Sequence, residues 1–441
     1  MSPPHVAVIG GGFSGTLQAI RLLERGARVS LVEREDRLAR GVAYSTPHAD
    51  HLLNVRASGM SALPEQPDHF AAWLARGGEG DGNSFAQRRT YGRYLQSLLD
   101  DARSRAGERL SVKRTEVLDV AATAGGETVR LGGGERIGAD AVVLALGNLP
   151  PGTPREITSA GLADGVYHVD PWGADLAEGL APCDTVLLIG TGLTAIDAAL
   201  LLDSRGFKGR ILALSRRGLL PRAHADAAPA FVEPEDMPEP RCIDLLRLVR
   251  IKAGRIGWRA AVDSLRPVTQ AIWAEAGLAE RRRFLRHLRS WWDVHRHRIA
   301  PGIAGRVEGM ISSGQLEARS GRILSVVADG GGARLSWRSR TSGFESTTRV
   351  RRIVNCTGPQ SDISRAREPL LDALLAAGRI RPDGCRIGID VDRQCRTVSV
   401  AGACETLRAV GPITRGAFWE IVAVPDIRHQ VRDVADALTA R

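Results

Sequence analysis

Two glycine-rich turns hold the residue types best suited to chemistry. The first reads Gly10-x-Gly12-x-x-Gly15 after the apolar run Val6 to Ile9, and Glu33 closes Leu31-Val32-Glu33. Gly10 permits a tight turn out of a strand. Gly12 lets a pyrophosphate approach the backbone, and Gly15 lets the next helix pack close. Phe13 and Ser14 open that helix, whose first amides and dipole favour an anion. Glu33 stands where a carboxylate accepts ribose hydroxyls, which selects an adenosine without a 2′-phosphate, as in FAD or NAD. The second turn reads Gly190-Thr191-Gly192-Leu193-Thr194-Ala195, with alanine in the third glycine's place. Its second strand ends in Ser215-Arg216-Arg217, not in an acid. A hydroxyl and two guanidiniums suit a 2′-phosphate, so this turn reads as an NADPH site.

The remaining candidates lie in loops and at strand exits. Gly41-Val42-Ala43-Tyr44 and the stretch His51 to Ser61 follow the acid and carry few helix signals. They read as a loop running along the pyrophosphate towards the far ring of the ligand, since loops this long are uncommon without a function. Arg34, Val117, Gly147, Gly358 and Gly411-Pro412 complete the expected cofactor-contact set. Asn54 is the candidate amide beside a flavin ring, and His168 is a second catalytic candidate. No acid–base triad or carboxylate pair is recognisable. The cysteines at 183, 242, 356, 385, 395 and 404 include no Cys-x-x-Cys and no Cys/His cluster with metal spacing. They read as free thiols in a reducing compartment, with no metal site and no redox disulfide. His295 and His297, two residues apart, do not face one another on a helix and make no metal pair.

These residues need elements to position them. Val6 to Ile9 is a short buried strand, Ser14 to Arg25 a helix, and Ala27 to Glu33 a second strand. Helices are expected at Phe70 to Ala75 and Tyr91 to Ser104. Leu110 to Val120, Glu127 to Leu131 and Glu135 to Ile137 alternate and read as an antiparallel meander. Asp140 to Leu146 is a buried strand ending at Gly147. Pro150, Pro151 and Pro154 mark a linker. The second half repeats the plan: strand Thr185 to Ile189, helix to about Asp203, strand Arg210 to Leu214. A meander follows over Gln315 to Ser320, Ile323 to Val327, Ala333 to Arg338 and Thr347 to Ile353, with an exit at Asn355-Cys356-Thr357-Gly358-Pro359. Residues 221–240 carry five prolines and five acids and are expected to be irregular. Cys242 to Trp292 is helical in pattern, with Trp291 and Trp292 read as core. Asp426 after Pro425 is the expected N-cap of a last helix reaching about Ala440. That helix's dipole would lie by the pyrimidine edge of a flavin.

At 441 residues the chain exceeds one ordinary core, and 43% apolar with 25% charged content is globular. It contains neither an apolar run long enough to span a membrane nor a signal-like start, so a cytoplasmic protein is expected. The net charge is +10, and residues 241–300 hold 14 Lys or Arg against 5 Asp or Glu. No aromatic-rich nucleic-acid motif accompanies them. The basic stretch reads as an Arg-rich helical face whose field draws in NADPH and an anionic substrate, not as a nucleic-acid or membrane surface. The fold class is α/β, with two Rossmann-like dinucleotide-binding domains, the NADPH domain inserted in the FAD domain. The expected boundaries are 1–165 with 360–441 for FAD and 166–359 for NADPH, including a helical insert at about 221–300.

Together these features resemble the two-dinucleotide-binding-domain flavoproteins. Gly41-Val-Ala-Tyr44, Leu53-Asn-Val55 with Met60-Ser61, Asn355-Cys-Thr-Gly-Pro359, and Trp419-Glu420 with Val424-Pro-Asp426 look like one bacterial family among them. It includes FAD-dependent urate hydroxylases and L-aspartate N-monooxygenases. His168-Val-Asp-Pro-Trp172 also resembles the His-x-x-x-Trp core of the Baeyer–Villiger fingerprint, but Asp164 occupies that fingerprint's glycine position. It marks the linker's place only. The family resemblance implies a monooxygenase. NADPH would reduce the flavin, and a C4a-hydroperoxyflavin would pass one oxygen to a small nitrogenous or amino-acid-like substrate. The alternatives are a reductase that hands electrons to another acceptor and a nucleotide-binding protein without catalysis.

Overall fold

A computed structural model of the chain describes residues 3–173, 175–233 and 236–440. The first half of the sequence plan becomes a six-stranded sheet. β1 (His5–Ile9) lies parallel to β2 (Arg28–Glu33), His5 opposite Arg28 and Ile9 opposite Val32. The helix Phe13–Glu24 connects them, and only its final residue, Glu24, escapes burial. It is covered on its outer side by the C-terminal helix Val424–Thr439, so its apolar content suits a helix packed on two faces.

β3 (Leu110–Arg114) adds to β2 in parallel, Val29 opposite Leu110. This corrects the expected meander. An edge strand of a parallel sheet is half exposed, so it alternates just as an antiparallel strand does. The meander proper is β4 (Val117–Thr123), β5 (Gly126–Leu131) and β6 (Arg136–Ala139), a separate three-stranded antiparallel sheet. β7 (Ala141–Leu144) is buried throughout and pairs with the other side of β1.

The second sheet has seven strands. β8 (Tyr167–His168) forms its edge, and β9 (Thr185–Ile189) and β10 (Arg210–Ser215) pair in parallel around the second glycine turn. The segments Gln315 to Ser320 and Ile323 to Val327 are not two strands. They form one continuous strand, β11 (Leu316–Asp329). Its first half is parallel to β10, and its second half is antiparallel to β12 (Gly332–Ser339). Partners change at Gly321, where a side chain would crowd the Arg338 carbonyl and the Trp337 ring. β13 (Glu345–Val350) ends the antiparallel part, and β14 (Arg352–Asn355) returns to β9. β15 (Arg396–Ser399) and β16 (Gly402–Ala409) then close the first sheet, β16 lying beside β7.

The two sheets repeat one arrangement. The strand before each glycine turn is flanked by the strand ending in Glu33 or Ser215 and by the strand leading to a small-residue exit. A side chain at Gly10 would overlap the Ala145 carbonyl, and one at Gly190 the Cys356 carbonyl. Both glycines have positive φ, +100° and +127°.

Five helices make the insert: Cys242–Ile256, Trp258–Asp263, Thr269–Glu275, Leu278–His287 and Arg289–Arg296. Trp273 and Trp419 stack at 4.7 Å where this cap meets the tail. Trp292 joins that junction. Trp291, expected in the core, is 44% exposed because it lies on the outer side of its helix. Residues 221–233 form no helix and no strand longer than an isolated bridge. Pro234 and Glu235 of the expected irregular stretch lie outside the described residues. Among the described residues no helix is long and apolar enough to cross a membrane.

Candidate functional site

A cleft of about 1440 Å³ runs between the second glycine turn, the loop Ala43 to Met60, the cap and the tail. At one end the helix Leu193–Ser204 starts after Gly192, with no side-chain cap and no acid in its first turn. Gly12 caps the helix Phe13–Glu24 in the same way, and its φ and ψ of −72° and −164° nearly match the −83° and −166° of Gly192. Both helix starts therefore present first-turn amides that no side chain claims, an arrangement suited to pyrophosphate.

Around the first turn, Glu33 accepts the Gly11 amide at 2.6 Å and the Glu35 amide at 2.9 Å. A side chain at Gly15 would overlap the Gly10 carbonyl, and one at Gly41 would press on Gly12. Gly41–Tyr44 forms one short helical turn rather than the expected loop, within reach of Gly12. Val42 and Ala43 are exposed, and Tyr44 sits edge-on to Phe13 and Tyr91. Gly411 backs onto Ser14, and its amide donates to Gln430 at 2.7 Å. Pro412 follows in the turn Gly411–Thr414. Gly10, Gly12, Phe13, Ser14, Gly15, Glu33, Gly41 and Gly411 thus gather at one place. Gly147 follows β7 with φ +67°. Arg34 turns away to pair with Glu368 at 2.6 Å, and Val117 is packed in the core with Val32 and Leu131.

The second set is divided. Gly190, Gly192, Thr194, Ser215, Arg216, Arg217 and Gly358 all line the cleft. The Ser215 hydroxyl is taken up by Thr191 and by the Gly218 amide, both at 2.9 Å. Arg217 donates to the His287 carbonyl of the cap at 3.1 Å. Arg216 is exposed and has no side-chain partner among the described residues. Asn54 lines the cleft, and its backbone carbonyl accepts from His224 Nε2 at 2.8 Å. His168 is not brought there. It lies in edge strand β8, where its Nε2 donates to the Gly165 carbonyl at 3.2 Å.

Where cap and tail meet, the cleft holds residues that sequence reasoning did not single out as site residues. Arg415 lines it, and its side chain has no hydrogen bond or ion pair among the described residues. Burial first, and the Arg289 guanidinium second, push Arg415 down to about 10. Glu420 has its side chain 1% exposed and a positive φ of +65°. It accepts from Trp292 Nε1 at 2.7 Å and from Arg296 at 3.2 Å, and His297 stands 3.6 Å away. Burial pushes the Glu420 carboxyl up, but Arg296, His297, Trp292 and Arg266 outweigh it and hold it below the ordinary range. His295 instead bonds its own helix at the Trp291 carbonyl, so the two histidines do not converge. Among the described residues no His, Cys, Asp and Glu group can hold a metal ion. Asp426 is not the N-cap. Pro425, favoured in a first turn, lets the helix start at Val424 after Ala423, and Asp426 pairs with Arg266 of the cap.

The FAD-NAD(P)-binding family model matches residues 7–149. No curated protein is a significant sequence match. Three solved structures are similar over nearly their whole lengths. The ornithine N-hydroxylase from Kutzneria sp. 744 has a TM-score of 0.68 at 14% identity, covering 99% of each chain. L-Lysine 6-monooxygenase from Pseudomonas syringae has a TM-score of 0.68 at 17% identity, covering 99% of this chain and 100% of that one. Thioredoxin reductase from T. acidophilum has a TM-score of 0.54 at 15% identity, covering 100% and 99%. At such identities the likeness is one of fold, and the fold is that of proteins with two dinucleotide-binding units.

Proposed function

We propose that the protein is an FAD- and NADPH-dependent monooxygenase acting on a small amino-acid-like nitrogenous substrate. One observation carries the reading: cap and tail converge on the cleft, leaving inside it the charged Arg415, whose side chain has no partner among the described residues. That is a site for a small anion-bearing molecule, not a landing surface for a protein disulfide. The six cysteines, all free, give no dithiol to relay electrons either. The two hydroxylases above, named for ornithine and lysine, share the fold, and the first was solved with reduced FAD and NADP⁺. Urate and aspartate, the substrates of the resembling family, belong to the same class of small polar nitrogen compounds.

The donor sets fit both cofactors. The turn Gly10 to Gly15, with Glu33, Gly41 and Gly411, would hold FAD in the unit formed by residues 1–165 and 360–441. The turn Gly190 to Thr194, with the end of β10, would hold NADPH in residues 166–359. When bound, FAD accepts hydride from NADPH and activates dioxygen. The chain's own residues orient, shield and select. Arg415 takes a substrate carboxylate in a charge-assisted pair. Glu420 latches the cap over the cleft through Trp292 and Arg296. The segment 222–232, tied down by His224 on the Asn54 carbonyl and by Arg56 on Asp226 at 2.6 Å, covers the mouth against water. We place the enzyme in the cytoplasm, with dioxygen and a small-molecule substrate as partners and neither nucleic acid nor membrane.

The test is a screen of substrate-stimulated NADPH consumption with mass spectrometry for an added oxygen. Yellow protein bleached by NADPH without air, and an oxygenated product in air, are the expected results. Bleaching without product for any amine or amino acid would favour the reductase. A preparation that stays colourless after incubation with FAD would end the proposal.

A further inference from the structure

We propose that the 2′-phosphate of the nicotinamide nucleotide is clamped by Arg216 and Arg322, from neighbouring strands, while Arg217 anchors the cap. This rests on the NADPH reading above. β10 and β11 run parallel with Ser215 opposite Ser320, so Arg216 leaves the end of β10 about 4.8 Å from the neighbouring strand, at the point where β11 runs on into Gly321 and Arg322. The turn after β10 lies directly on β11, since a side chain at Gly218 would press on the Ser320 amide. At Gly321 β11 abandons β10 for β12, and Arg322 is the next residue.

Arg216 and Arg322 both line the cleft, both are exposed, and neither has a side-chain hydrogen bond or ion pair among the described residues. The arginines beside them are committed, except Arg340, whose amide donates to the Ser320 carbonyl and which does not line the cleft. Arg217 donates to the His287 carbonyl, Arg319 is paired with Glu317, and Arg338, opposite Arg322, is paired with Glu345 at 2.6 Å. Two unpaired guanidiniums on one wall of the cleft repel one another until an anion sits between them. A ribose monoester phosphate carries the charge and the acceptor oxygens to engage both forks. Ser215, already bonded by Thr191 and Gly218, shapes the turn and leaves its contact with phosphate to Arg216.

Calorimetric titration of 2′,5′-ADP and 5′-AMP into the protein as purified tests the clamp without turnover. Arg216→Ala and Arg322→Ala should each weaken 2′,5′-ADP about tenfold and leave 5′-AMP within about twofold. Arg322→Glu should weaken 2′,5′-ADP further, and Arg217→Ala should change it less than about twofold. Thermal melts that match the wild type confirm that Arg322→Ala and Arg322→Glu are folded. A neutral Arg322→Ala, or an Arg217→Ala as damaging as Arg216→Ala, overturns the clamp and leaves NADPH use standing. A wild-type protein that does not prefer 2′,5′-ADP over 5′-AMP removes the NADPH reading and the clamp together.

Discussion

Arg415 shows what a single residue can reveal that its neighbours in sequence cannot. Nothing in Thr414-Arg415-Gly416 marks it; only the folded chain sets it inside a cleft, beside Arg289 and without an acceptor. A half-buried cation with no partner is costly, and a ligand carboxylate relieves that cost. Arg415→Ala should therefore raise the KM for the amino-acid-like substrate at least about tenfold, the loss of one charge-assisted pair. The rate at which NADPH bleaches the flavin should stay within about twofold, because Arg415 is assigned to the substrate and not to the nucleotide. Stopped-flow reduction beside steady-state turnover measures both. An equal fall in the two would place Arg415 on the nucleotide instead. The glycines were legible for the opposite reason. Gly10, Gly12 and Gly15 act through local backbone geometry, and that geometry is written in their own spacing. Glu420 stood in a recognised motif, yet its latch to Trp292 and Arg296 joins residues 124 or more positions apart.

Elements were readable where their burial pattern is decided locally. The strand–glycine–helix–strand units formed as read, because four apolar residues and a turn need no distant partner to be recognised. β3 and β11 were misread for tertiary reasons, one an edge strand and the other a strand that exchanges partners at Gly321. The cap's attachment was also invisible, and it can be tested through Glu420. The folded carboxyl is held below its ordinary value, so its stabilisation is fully present above the ordinary pKa of about 4.3. That stabilisation is lost as pH falls through the lower, folded value. Glu420→Gln should cost about 2–4 kcal/mol at neutral pH, since the half-buried Arg296 is left without its counter-charge. It should also flatten the acid limb of a stability profile from about pH 6 to about pH 3. Urea unfolding across that range measures both, and a variant with the wild-type acid slope would show that Glu420 does not latch the cap.

At the scale of the whole molecule, hydride transfer requires two separately folded units to hold their ligands in register. One cluster spans them. Arg88, from the helix Arg88–Ala106 of the first half, places Nη2 2.8 Å from Asp197 on the helix after the second glycine turn. This is a charge contact rather than an aligned hydrogen bond. Arg88 also lies over the Trp172 ring at 5.4 Å. His51 is buried, and its Nε2 donates to the Asp197 carbonyl at 3.1 Å, so its Nδ1 accepts from the Thr46 hydroxyl at 2.7 Å. Asp197→Ala leaves Arg88 without its counter-charge between the halves, which should cost about 3 kcal/mol. Asp197 itself does not line the cleft, although Arg88 does, so each nucleotide should still bind within about twofold of wild type. Hydride transfer in a stopped-flow trace should slow at least about tenfold, because a near-attack geometry tolerates little misplacement. Lowered nucleotide affinity with unchanged transfer would mean that Asp197 supports only its own helix. Slowed transfer with intact binding identifies the Arg88–Asp197–His51 contact as the joint that sets the two ligands against one another.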